Sequence, residues 1–258
     1  MLDLTKGHWY DFVLTTGILF IAIFFRYLIL AGLFYYFVNT KYKAYFAPRK
    51  ISLRPGKENQ IRKELVYSMI SSLLFALLGT MVFYSFQKGK TALYTGWHQY
   101  PWYWMILSLV LILFIHETYY YWLHRWMHLP KAFALIHRTH HESLAPTAWT
   151  SFSFHPIESL LQALPIIGMI YFIPIHIVVL ILFLVIMAIT SVINHLNNEL
   201  YPATTIHHWF GRWWIGATHH AMHHMQFHYN FGLYFTFWDH WMKTESPDYK
   251  KTFEEKTR

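Results

Sequence analysis

Three short segments of this sequence gather imidazole at spacings that suit metal binding. His124-Arg-Trp-Met-His128 places two histidines four residues apart. On a helix they share one face, about one turn apart, and both can reach a single ion. His137-Arg-Thr-His140-His141 follows, and His219-His220-Ala-Met-His223-His224 comes much later, repeating the H-x-x-H-H spacing as His220, His223 and His224. Neutral imidazole is a good ligand for iron, zinc, copper and nickel. Two or three histidines from one segment and two or three from another close a site, and this set is large enough for two ions.

The acids near these segments are few: Glu117, Glu142, Glu158, Glu199 and Asp239. No Glu-x-x-His occurs in the clusters, so the carboxylate-bridged arrangement of soluble four-helix bundles is excluded. Glu117 precedes His124 by about two helical turns on the same face, which suits orienting an imidazole better than ligating a metal. Of the chain's 19 histidines, only His8 and His98 precede residue 116. The isolated ones (His8, His98, His116, His176 and His240) are expected to be structural, and His207-His208 beside Trp209 interfacial. There is no cysteine, which excludes disulfides, iron–sulfur clusters and thiolate metal sites.

The elements that must carry these segments are apolar. The chain has 258 residues, 55% hydrophobic and 13% charged, with a mean hydropathy of +0.24. Soluble domains carry about 25% charge, so the composition argues against both a disordered chain and a purely soluble enzyme. Runs over 12–38, 65–86 and 101–123 are each long enough to cross a bilayer core of about 30 Å. The third opens on Trp102, Tyr103 and Trp104, aromatics suited to a membrane–water boundary. The region 160–193 contains Pro165 and Pro174 and reads as two short spans or a hairpin turning near Pro174. Nothing alternates with period two for long, and backbones in lipid need helices. The expected fold is therefore an all-α integral membrane protein. It has about four transmembrane helices, three spans plus a Pro-interrupted hairpin, capped by a helical histidine-rich metal site.

Orientation follows from the loop 41–63. It holds Lys41, Lys43, Arg49, Lys50, Arg54, Lys57, Arg62 and Lys63 out of 21 Lys and Arg. By the positive-inside rule this loop is cytoplasmic, and alternating the spans puts every dense histidine cluster on the same face. The net charge of +8 sits largely in that loop, where anionic headgroups account for it; nucleic acid is not an expected partner.

Taken together the motifs resemble the fatty acid hydroxylase/sterol desaturase superfamily of membrane enzymes. Its H-x-x-x-H box, with a preceding acid and aromatics, reads here as Glu117-Thr-Tyr-Tyr-Tyr-Trp-Leu-His124-Arg-Trp-Met-His128, and its two H-x-x-H-H boxes as His137–His141 and His220–His224. Ala145-Pro-Thr-Ala-Trp-Thr-Ser-Phe-Ser-Phe-His155-Pro156-Ile-Glu158 and Gln162-Ala-Leu-Pro165 look like segments of sterol C5-desaturases. Asn194-His195, with Pro202 beyond, is similar to an element of sterol C4-methyl oxidases. Gly216-Ala-Thr-His219-His220, His228-Tyr-Asn230-Phe-Gly232 and Phe237-Trp238-Asp239 look like the family's C-terminal signature. Asn197 and Asn198 depart from the pattern, standing where relatives often carry Gly or a further His. The resemblance covers about residues 105–243.

That resemblance implies a di-iron centre held almost wholly by histidine, for which zinc can substitute in preparations. It implies His124, His128, His137, His140, His141, His220, His223 and His224 as ligands, with His195 a ninth. His219 and His228 are further candidates, Glu117 an orienting group, and His155 a structural or substrate-facing residue. The implied activity is O2-dependent hydroxylation or desaturation of an unactivated C–H bond in a lipid, either sterol or fatty-acyl. No dinucleotide fingerprint, cluster cysteine or fused electron-transfer domain is present, so electrons would come from a separate cytochrome b5-like or ferredoxin-like donor. The basic loop can steer such a donor.

Three regions follow: 1–100 as membrane scaffold with its basic loop, 101–243 as catalytic region, and 244–258 as a charged tail. The expected location is a bacterial inner membrane or the endoplasmic reticulum. A metal-ion transporter and a bis-histidine haem carrier are the rival readings. The first needs ionisable groups at mid-span, where only His176 and Arg26 qualify; the second leaves the H-x-x-H-H pairs unexplained. The stretch 119–126 either lines a lipid path or anchors the interface.

Overall fold

The computed structural model describes residues 9–258; His8 lies outside the described residues. Helix α1 (Trp9–Tyr36) continues through a π turn to Lys41. It is followed by α2 (Gln60–Gln87) and α3 (Trp102–Met127). A four-residue helix α4 (Arg138–His141) precedes α5 (Pro156–Phe172) and α6 (Ile177–Asn194). The chain closes with α7 (Ala217–Gln226), α8 (Phe237–Trp241) and α9 (Tyr249–Thr257). Strands β1 (Leu93–Tyr94) and β2 (Ile175–His176) pair in parallel, two residues each. Helices α1, α2, α3 and α6 are long and apolar enough to cross a membrane, whereas α5 is shorter. The chain is an integral membrane protein.

Small and hydroxylated residues let the long helices approach closely. Ala31, Ala76, Ser68, Ser71 and Ser72 are fully buried. Thr16 meets Thr80 across α1 and α2 at 3.0 Å, and Ser159 on α5 donates to Ser71 on α2 at 2.9 Å. Apolar side chains such as Ile21, Phe25 and Ile29 on α1 and Ile106 and Val110 on α3 face outward, as expected against lipid.

The region 160–193 is a helical hairpin turning at Ile173-Pro174. The turn is held by side-chain caps. His176 accepts from the Val178 N–H at the start of α6 and its other ring nitrogen pairs with the Thr95 carbonyl. His176 is thus a cap at a helix end rather than a mid-span group. Pro165 sits inside α5 without ending it. A proline there deprives the carbonyl four residues earlier of its partner, and the Tyr119 hydroxyl supplies one by donating to the Leu161 carbonyl at 3.0 Å.

The loop that precedes α2 packs beneath the end of α6. Ile51 N–H donates to the Asn197 carbonyl, and Ser52 exchanges two bonds with the Asn197 side-chain amide, at 2.7 and 3.0 Å. Asn198 donates to the Phe46 carbonyl. The two asparagines that depart from the family pattern thus tie the basic loop to the end of α6. Buried Glu64 on α2 accepts from Ser143, Thr147 and Thr150, fixing the segment after the second histidine box. The basic loop and the histidine segments therefore lie at one end of the bundle.

Candidate metal centre

Helices α3 and α6 end beside each other, and the histidine segments close over that end. His124 occupies the last turn of α3 and His128 its C-cap. The second box straddles a π turn (Phe133–His137) and α4. His195 caps α6, and the third box is the body of α7. The N-terminus of α7 is fixed by Glu199, whose carboxylate accepts from the Thr218 and Tyr201 N–H groups at 2.8 and 3.0 Å, an anion placed where a helix favours one.

Nine histidines form two adjoining groups. One comprises His124, His128, His137, His141 and His223; the other comprises His140, His195, His220 and His224. In each group the candidate ligand atoms lie within 4.8 Å of one another, and no carboxylate belongs to either. Each H-x-x-H-H box serves both groups. Residues i and i+4 are separated by about 40° around a helix, while i+3 projects to the other flank. His137 and His141 accordingly join one group with His140 in the other, and His220 and His224 join the second with His223 in the first. The rings of His141 and His224 bring the groups to 4.5 Å between centroids.

The tautomers are fixed from outside. His124 Nδ1–H donates to the Phe231 carbonyl at 2.8 Å, His140 to Ser153 at 3.2 Å, His195 to Ser191 at 2.7 Å and His223 to Tyr229 at 2.7 Å. His137 donates to the Glu158 carboxylate at 2.9 Å. The four carbonyls cannot donate, so in His124, His140, His195 and His223 each Nδ1 carries the proton and each Nε2 presents a lone pair inward. Lone pairs then face one another: His140 and His195 at 3.1 Å. The same close spacing recurs between His195 and His220 at 2.9 Å and between His141 and His223 at 3.1 Å. The Nε2 atoms of His124 and His128 are buried without a hydrogen-bond partner. Apposed acceptors repel unless a cation lies between them, and neighbouring ligands at about 2.1 Å from one ion sit about 3 Å apart. The donor set fits metal ions held by imidazole.

Electrostatics agree. Burial, reinforced by neighbouring imidazoles, drives His128 down to about 2 and holds His137, His141, His195, His220, His223 and His224 well below the usual histidine range. Burial alone takes His140 down to about 4. Burial thus favours the neutral form, the one in which imidazole ligates a metal.

The remaining candidates lie outside both groups. His219 is buried against Tyr249, 3.6 Å from Asp239, and burial lowers it to about 3. His228 is exposed. His155 caps α5 by accepting from the Ile157 N–H. His207 and His240 pair loosely with Glu254 and Glu245, and His116 meets the Tyr234 hydroxyl at 3.1 Å.

Glu117 acts at one remove. Its two oxygens accept from the Leu233 and Tyr234 N–H groups, and Asp239 accepts from Phe231 and Gly232, all between 2.7 and 3.1 Å. Two buried carboxylates therefore hold four successive amides of the loop whose Phe231 carbonyl orients His124. Gly232 is at the centre of this clamp. An added Cβ would meet the Phe235 carbonyl at 2.6 Å and Glu117 at 3.0 Å, and the carbonyl belongs to backbone that cannot swing aside. Gly232→Ala is expected to destabilise the protein by about 1–3 kcal/mol and to lower bound metal, measured by thermal unfolding and metal analysis of the same preparation.

A largely apolar cavity of about 360 Å³ runs between α1, α2, α3, α5 and α6, within the usual range for ligand pockets. Leu19, Phe75, Ile166 and Leu180 line it, and Ser191 and His195 form part of its wall. Tyr120 lines it also, whereas Trp122 and Trp126 are exposed. The aromatic stretch 119–126 is thus divided between the cavity and the outer surface.

Glu158 and the clamping role of Asp239 were not evident from spacing. Glu158 is separated from His137 by 21 positions, and only its place in the segment after the second box marked it. The four carbonyl acceptors carry no side-chain signal at all.

The family model for fatty acid hydroxylase matches residues 109–244. A delta(7)-sterol 5(6)-desaturase of Gibberella zeae is 30% identical over 237 residues, covering 90% of this chain and 70% of its own length. The lathosterol oxidases of Rattus norvegicus and Homo sapiens are 30% and 29% identical, each over 184 residues, covering 70% of this chain and 60% of theirs. No solved structure matches significantly.

Proposed function

The chain belongs to the fatty acid hydroxylase family, and from that premise we propose a membrane-bound, O2-dependent di-iron oxidoreductase. It would hydroxylate or desaturate an unactivated C–H bond of a lipid, a sterol or other polycyclic lipid being the first candidate because the relatives are named sterol desaturases and lathosterol oxidases. The observation that carries this reading is the pair of buried all-histidine groups with inward lone pairs.

His124, His128, His137, His141 and His223 would hold one iron, and His140, His195, His220 and His224 the other. The irons, when bound, supply O2 activation and hydrogen abstraction. The chain does the rest. Glu158 and the carbonyls of Ser153, Ser191, Tyr229 and Phe231 keep the ring protons outward and the rings in place, as outer-shell partners do. Burial of all four histidines of the group that contains His195 excludes water, which suppresses wasteful side reactions. The apolar cavity reaching His195 accepts the hydrocarbon and brings one C–H bond beside the second group.

Electrons would arrive from a separate cytochrome b5-like or ferredoxin-like protein on the cytoplasmic face. The basic loop, tied to the end of α6 through Asn197 and Asn198, offers such a donor a positive surface near the site. His176 serves as a helix cap, which removes one of the two mid-span groups a transporter reading relied on.

Lipid profiles of cells with and without an active copy test the proposal. A lipid that gains a hydroxyl or a double bond only with the active copy, and only in the presence of O2, is the expected result. Unchanged lipids under both conditions contradict it.

A further inference from the structure

Arg26 stands at the middle of α1, among residues that otherwise suit lipid. A cation at that depth is costly and calls for a partner. Among the described residues it pairs with no carboxylate. Its one hydrogen bond is a long one, Nη1 to the Leu184 carbonyl at 3.4 Å. Its Nε is buried without a partner, and the guanidinium lies 6.0 Å from the centre of the Phe152 ring. Guanidinium carries five N–H donors in a fixed fork, so most of its capacity is unspent. The side chain lines the same cavity that His195 lines.

Of the other polar groups on that wall, the Tyr120 hydroxyl is neutral and His116 meets the Tyr234 hydroxyl. Ser151 donates to Ala148, Ser191 to Ser151 and Gln162 to Glu158. His195 is turned toward the metal groups. Arg26 is therefore the positively charged donor that this apolar cavity offers a guest. Leu184 and His195 stand about 16 Å apart along α6, at about 1.5 Å per residue.

We propose that Arg26 anchors the polar end of the lipid, donating to a hydrogen-bond-accepting oxygen, an alcohol or a carboxylate, at the part of the cavity remote from the histidines. This rests on the lipid-oxidation reading for its ligand, and adds that the substrate carries such an oxygen and presents to the metal a carbon far from it. Arg suits the task because its fork meets an oxygen acceptor with two parallel bonds, and in a low-dielectric wall such bonds are strong.

The test uses the full-length protein in nanodiscs and native mass spectrometry, with two matched pairs of probes: cholestanol against cholestane, and octadecanoate against octadecane. The wild type is expected to bind at least one oxygen-bearing probe about tenfold more tightly than its hydrocarbon partner, the worth of a charge-assisted bond. The pair showing the larger ratio identifies the oxygen as hydroxyl or carboxylate. Arg26→Met should erase that ratio while leaving hydrocarbon binding and iron content within about twofold. Equal binding within both pairs in the wild type overturns the anchor, and this arm needs no variant. A ratio that survives Arg26→Met, or Arg26→Gln should the first not accumulate, overturns it too. Turnover measured separately distinguishes the two readings. Oxidation with an unaltered ratio in the variant refutes the anchor alone. An Arg26-dependent ratio without oxidation of any lipid refutes the activity and leaves the anchor standing.

Discussion

Replacing His195 with alanine is expected to lower lipid oxidation by at least about 100-fold while the protein still accumulates in the membrane. His195 comes from no histidine box, yet its Nε2 lies 3.1 Å from that of His140 and 2.9 Å from that of His220. It also lines the lipid cavity, so it stands where the metal group and the guest meet. Loss of an outer partner alone commonly costs 10–100-fold, and loss of a direct ligand from a four-histidine group should exceed that. Bound iron should fall toward one per chain, because the five-histidine group keeps all its members. His207→Ala is the control. That residue is exposed and belongs to neither group, so its loss should leave turnover and iron unchanged. Equal turnover in His195→Ala and wild type removes His195 from the site.

The second large effect concerns Glu158. Its carboxylate is fully buried, accepts from His137 at 2.9 Å and is itself held by Gln162 at 3.0 Å. Glu158→Ala leaves a buried ring nitrogen without its partner and frees His137 to turn. Activity is expected to drop by about 10–100-fold. Glu158→Gln retains an oxygen at the same place and should recover part of that loss. Iron affinity of the five-histidine group should follow the same order, wild type above Gln above Ala, read by competition with a chelator. Affinity unchanged in the alanine variant contradicts the assigned role.

The site was legible in the sequence to the extent that it is written in side chains. Histidine is rare enough in apolar segments, and the box spacings specific enough, that eight of the nine members of the two groups stand out from spacing; His195 is named only through the resemblance of Asn194-His195 to a family element. Which flank of one box meets which flank of the other could not be named. It depends on how the boxes on α4 and α7 face each other, a long-range matter that no local spacing encodes. Carbonyl acceptors are equally silent, because every residue has one and only the fold decides which points at a ring. Glu117 illustrates the middle case. Its spacing from His124 marked it as an orienting group, and the structure places it one step further out, on the amides of Leu233 and Tyr234.

The helices followed a similar pattern. The runs on α1, α2 and α3 were plain from length and hydropathy, and the region 160–193 read as a hairpin in preference to two short spans. Silent in the sequence was a tertiary contact: the Tyr119 hydroxyl meets the carbonyl that Pro165 leaves free, so the helix continues through the proline and turns only at Pro174. His219 and His228 were drawn in by adjacency to the third box. Helical geometry turns His219 toward Tyr249 and Asp239, and His228 falls beyond the end of α7.

Metal content decides the central claim most directly. Protein purified after growth with iron, analysed for metals and by absorption spectroscopy, should hold close to two irons per chain and show no haem Soret band. With zinc supplied instead, the same two positions should fill, since imidazole binds zinc well. A Soret band, or a chain that binds only one metal ion under saturating iron, would contradict the account of two histidine groups each holding an iron.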